Sequence, residues 1–125
     1  MADSLLAVAA GTFTTVHIAA TAAIAGGIAL VLAVATLGRR NRVDTVAIGV
    51  IVALAVFLWR KSANMPQLND DGLPPFSAND WLAPMATLMV LVLYGAVAQP
   101  RDLRRFARAC AVAVVVAFAV NVITI

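Results

Sequence analysis

Glutamate is absent from this chain, and lysine, histidine, cysteine and tyrosine occur once each, as Lys61, His17, Cys110 and Tyr94. A single cysteine excludes an intramolecular disulfide and a cysteine-based metal cluster. Cys110 lies in an apolar run and reads as a small buried hydrophobe. One histidine and no membrane-embedded carboxylate offer little acid–base chemistry, so the chain is expected to be non-catalytic. Charge is also scarce: 12% of residues are charged, about half the usual share.

What fills the space is apolar. Hydrophobic residues make up 63% of the 125 positions, against about 45–50% in an ordinary soluble domain. A soluble chain this short cannot bury so much apolar surface, so lipid has to be the solvent for much of it. One domain covering 1–125 is the natural division. The Ala-, Val- and Arg-rich, lysine-poor composition points to a GC-rich prokaryotic coding sequence. The net charge of +3 and the pI near 10.0 would suit nucleic acid, but the cations are confined to short connections between apolar runs. That pattern is membrane topology, and no nucleic-acid partner is expected. The opening MADSLL has Asp3 and no basic residue, unlike the positive start of a signal peptide.

A bilayer core of about 30 Å needs about 17–25 apolar helical residues. Four stretches meet this, giving expected helices at about 12–37, 43–60, 80–98 and 102–124 and an outer loop at 61–79. The runs are continuous rather than alternating, which favours helices over barrel strands. Gly38 suits a helix C-cap. Asp44 suits the start of the second helix. The stretch Ser77–Asp80 resembles a capping box ahead of Trp81, with Pro84 expected in the first turn and Pro100 opening the fourth helix. The long connection carries a Pro-Pro pair and an Asn-Asp-Asp-Gly stretch; it lacks the spaced ligands of a calcium loop and reads as a solvated turn.

Orientation follows from the basic residues. Arg39, Arg40, Arg42, Arg101, Arg104, Arg105 and Arg108 fall on one side of a four-span chain, and only Arg60 and Lys61 on the other. The positive-inside rule places both termini extracytoplasmic in the cell membrane. Trp59 and Trp81 then anchor the outer interface. These features predict an all-α integral membrane protein, a four-transmembrane-helix bundle built from two hairpins with both termini outside.

The polar residues of the first run are the candidate site. Residues 5–37 carry no charge, yet hold Thr12, Thr14, Thr15, His17 and Thr21 ahead of Gly26-Gly27. Thr14, His17 and Thr21 are spaced to share a helix face. Ala22, Gly26 and Ala29 form a small-residue track beside them. The bland explanation is a polar-assisted packing seam. The sharper one is a path lined by Thr14, His17, Thr21 and Asn121 near the outer surface. His17 is expected to face the bundle interior or a partner, because a polar group facing lipid is costly. A b-type haem would need a second axial ligand from another chain. His17 with Met65, Met85 and Met89 is a weak soft-metal set, since methionine is also ordinary packing material. No cofactor is expected.

Four helices in a chain of this length resemble the small multidrug transporters and the small fluoride channels. The former carry an essential glutamate, which this sequence lacks, and the motifs of the latter are absent too, so neither family is assigned. The expected role is an accessory or scaffold subunit whose partners are the lipid bilayer and itself or other membrane subunits. The alternative is a small oligomeric channel or transporter with a Thr/His-lined path.

Overall fold

In lipid, a spanning segment must satisfy its own backbone polar groups, and a helix does so within one run. The computed structural model describes residues 13–38, 41–64 and 78–124. Their apolar runs form α1 (Thr15–Leu37), α2 (Arg42–Ser62), α3 (Ala78–Ala98) and α4 (Leu103–Thr124). All four are long and apolar enough to cross a membrane. There is no strand among the described residues.

The helix ends are set by local chemistry. Thr14 caps α1, its Oγ1 accepting from His17 N–H at 3.2 Å. Gly38 closes α1 at φ 76°, a conformation that glycine adopts without penalty. Asn41 Nδ2 donates to the Leu37 carbonyl at 2.8 Å, which quenches one of the acceptors left at the end of α1. The connection between α2 and α3 is shorter than the sequence suggests, because α2 runs on through Ser62 and α3 starts at Ala78. Pro84 therefore lies in the second turn of α3, not the first. It has no N–H to return to the Asp80 carbonyl. Ser77 lies outside the described residues. At the other end of α3, Gln99 takes φ 50° ahead of Pro100, whose ring bars the preceding residue from continuing the helix. Pro100 does not open α4: Asp102 does, its Oδ1 accepting from Arg105 N–H at 3.0 Å.

The helices form a ring in which α1 packs on α2 and α4, and α3 packs on α2 and α4. The diagonal pair α2 and α4 touch across the middle; α1 and α3 do not. The closest seam joins α1 to α2. A Cβ added at Gly26 would meet Ala53 Cβ at 2.7 Å and the Gly49 carbonyl oxygen at 2.9 Å. Such close approach is what small residues allow between membrane helices. Ala22, Gly26 and Ala29 are all buried. The core continues through Ile48, Val52 and Val56 of α2, Leu91 of α3 and Ala109, Ala113 and Ala117 of α4.

Phe13 lies against Asn64 and Thr15 against Lys61, so the start of α1 sits beside the end of α2. Trp81 of α3 packs against Phe118 of α4 with ring centroids 4.7 Å apart and the rings tilted by 46°. These contacts define one end of the bundle, the Arg60 end. At the opposite end, Tyr94 O–H donates to Asp44 Oδ1 at 2.7 Å and its ring lies 5.9 Å from Phe106.

Candidate functional site

The polar chemistry of the bundle converges at the Arg60 end. Arg60, in the last turn of α2, is the largest fully buried side chain, with 1% of its surface exposed. Its Nη2 donates to Asp80 Oδ1 of α3 at 3.5 Å. Asp80 is equally enclosed, its side chain 6% exposed. At that length the contact is an ion pair more than a short hydrogen bond. The Phe13 ring lies over the guanidinium, 5.8 Å from ring centroid to Cζ, within reach of a cation–π attraction. Phe13 is itself held at both backbone groups: its N–H donates to Asn64 Oδ1 at 2.9 Å, and Asn64 Nδ2 donates to its carbonyl at 2.7 Å. Lys61 Nζ donates to Thr15 Oγ1 at 2.6 Å. Residues from three elements thus close over one cation.

Arg60 Nε and Nη1 have no hydrogen-bond partner among the described residues. A buried donor is costly to leave unpaired, so these two nitrogens are where a further acceptor would stabilise the pair most. Asn121 of α4, at the same end, is completely buried; its Nδ2 donates to the Ala117 carbonyl at 2.6 Å. Its Oδ1 has no partner among the described residues. Thr21 of α1, about a turn deeper, is also buried. Thr21, Arg60, Asp80 and Asn121, from the four helices, are thus buried toward this end, and Thr87 of α3 is buried deeper.

The first-helix stripe is divided by this geometry. Thr14 and His17 are joined at the cap, and His17 stacks on Phe13 with ring centroids 5.5 Å apart. Thr21 turns inward, whereas the His17 side chain lies on the exposed surface of the chain. Of the two placements expected for His17, it does not take the interior of this chain; its exposed position is the one that a partner could cover. The face that α1 buries runs through Ile18, Ala22, Ala25, Ala29 and Ala33, one position round from the stripe. Nor does the structure gather the soft-metal set. Met85 and Met89 point outward from α3, 52% and 66% exposed. His17 points outward from α1, which has no contact with α3. Met65 lies outside the described residues.

The basic residues sit at helix ends. Arg42, Arg101, Arg104, Arg105 and Arg108 are exposed at the end opposite Arg60; Arg39 and Arg40 lie outside the described residues. Trp81 is exposed and Trp59 half-buried at the Arg60 end. Arg60, which the sequence counts with Lys61 among the cations of one side, is instead enclosed. A signal for this was present. Trp59-Arg60 closes one apolar run and Asp80-Trp81 opens the next, mirrored dipeptides that neighbouring helices bring level.

Chemically, the arrangement neutralises a charge and ties α2 to α3. Compared with protein-family models, with curated proteins and with solved structures, the chain matches none.

Proposed function

We propose that this chain is a non-catalytic, small multi-pass membrane protein, an accessory or scaffold subunit of a membrane complex or of a homo-oligomer. In this reading it lies in the cell membrane as two hairpins with both termini extracytoplasmic, and the Arg60 end faces outward. One observation carries it. Only 22–39% of the most apolar stretch of each helix is buried within the chain. Outward residues such as Val31, Val92, Leu93, Val97 and Val115 are left for lipid or for neighbouring subunits. Two polar side-chain pairs join helices, Arg60–Asp80, which is buried, and Tyr94–Asp44, which is half-buried.

The decisive experiment is purification of the tagged protein from its native membrane in a gentle detergent, with mass and co-purifying proteins read from one peak. Stoichiometric membrane partners, or a discrete homo-oligomer without flux activity, support the scaffold reading. A second reading, a small oligomeric channel or transporter, draws on the buried Asn121 whose Oδ1 lacks a partner among the described residues. Solute flux into proteoliposomes that depends on Asn121 would replace the scaffold by that reading. Accessibility of cysteines added at each terminus tests the orientation separately.

A further inference from the structure

Two clefts adjoin at the end of the bundle away from Arg60. One, of about 550 Å³, opens between α3 and α4 and is walled by Leu91, Val92, Phe106, Ala107 and Cys110. The other, of about 390 Å³, is lined by Asn41, Arg42 and Asp44 at the start of α2 and by Arg101. Gln99 and Pro100 line both. An apolar slot between membrane-spanning helices thus leads directly to a basic pocket at the helix ends.

We propose that the paired clefts bind one phospholipid with an anionic headgroup, its phosphate between Arg42 and Arg101 and an acyl chain in the α3–α4 slot. An apolar slot open to lipid does not stay empty, because an unfilled gap forfeits dispersion contacts along its whole wall. Water fills it poorly for want of polar partners. The headgroup pocket has the matching charge. Guanidinium forks suit phosphate oxygens. The start of α2 adds the positive end of a helix dipole. Asn41, at the N-cap, makes no capping bond to that helix, since its side chain is turned to the Leu37 carbonyl.

Both nearby acids are hydrogen-bonded, and by formal charge Arg42 and Arg101 against Asp44 still leave the pocket with positive charge in excess. Asp44, which lines the pocket, accepts from Tyr94 O–H. Asp102 accepts from Arg105 N–H and pairs with Arg105 Nε at 3.4 Å. Arg104 and Arg108, both exposed on α4, add positive charge beside Leu103 and Ala107 of the slot. Basic pockets between membrane helices are recognised sites for anionic lipid heads. A free anion would need only the pocket, and a zwitterionic lipid only the slot; their adjacency selects an amphiphile with a negative head.

The test uses the purified full-length protein in nanodiscs of phosphatidylcholine and phosphatidylglycerol with matched acyl chains, with retained lipid counted by native mass spectrometry. The expected result is preferential retention of one phosphatidylglycerol. Arg42→Gln with Arg101→Gln should weaken that retention roughly twenty-fold and leave phosphatidylcholine unchanged. Both arginines are exposed, so this variant should fold. Ala107→Phe, which fills the slot, should reduce retention of both lipids. Equal retention of the two lipids would overturn the proposal, as would a phosphatidylglycerol preference that survives loss of both arginines. Displacement of the lipid by inorganic phosphate would reduce the site to an anion pocket. A spectrum dominated by lipid-free dimers would give the slot to a second copy; either result overturns the assignment.

Discussion

Arg60 and Asp80 meet at 3.5 Å between the end of α2 and the start of α3, each almost wholly enclosed. Burial makes this pair strong to break and costly to have built. Removing one partner strands a charge in an apolar surround, whereas replacing both removes the desolvation penalty along with the attraction. Asp80→Asn is therefore expected to destabilise the bundle by about 3–5 kcal/mol. The double change Arg60→Met with Asp80→Leu should recover most of that loss. Denaturing-detergent titrations of the three proteins measure it. An Asp80→Asn protein as stable as the parent would mean that the pair does not join α2 to α3.

The α1–α2 seam makes a sharper geometric prediction, because two adjacent glycines differ in what surrounds them. A Cβ at Gly26 would come within 2.7 Å of Ala53 Cβ, whereas one at Gly27 would meet nothing within 4 Å. Gly26→Ala should push the helices apart and cost about 1–3 kcal/mol. Gly27→Ala should be neutral or gain up to about 1 kcal/mol from helix propensity. The same unfolding assay compares them, and equal effects at the two positions would contradict the seam.

The contrast shows what the sequence discloses. Four helices, and the burial of Ala22, Gly26 and Ala29, follow from run length and residue size. Gly38 as a C-cap follows from backbone chemistry. The face of the first helix does not. Thr14, His17 and Thr21 share a face by spacing, but threonine and alanine are both small enough for a seam, so the pattern leaves the rotation open within about one position. Packing chose Ile18, Ala22 and Ala25, turning His17 outward. Arg60 and Asp80 were hidden for another reason. They lie 20 residues apart, at the edges of two runs, where a charge is ordinarily solvated. Only the level pairing of adjacent helices shows that they meet.

Backbone strain gives a third prediction. Gln99 adopts φ 50°, a region that disfavours any side chain with a Cβ by about 1–2 kcal/mol. Gln99→Gly should relieve part of this and raise stability by about 1 kcal/mol, less the added freedom of the unfolded chain. Gln99→Val should lower stability, since branching at Cβ worsens the clash. Thermal unfolding in a fixed detergent distinguishes the two; a loss on introducing glycine would show that the side chain contributes more at the cleft rim than its backbone costs.

Asn121 separates the two functional readings through stability and flux together. Its side chain is fully buried, with Nδ2 bonded to the Ala117 carbonyl and Oδ1 without a partner among the described residues. A half-satisfied amide in an apolar core is worth little as a structural element, because the unpaired oxygen's desolvation offsets the bond that the nitrogen makes. If the residue only fills space, Asn121→Leu should be neutral or stabilising by about 1 kcal/mol and should leave partner assembly unchanged. If the oxygen serves a solute or a water chain, the same variant should keep its stability and lose flux in proteoliposomes. Measuring both on one preparation is what makes the result informative. The scaffold reading expects a more stable protein with intact assembly and no flux difference, and a selective loss of transport in a stable protein would overturn it.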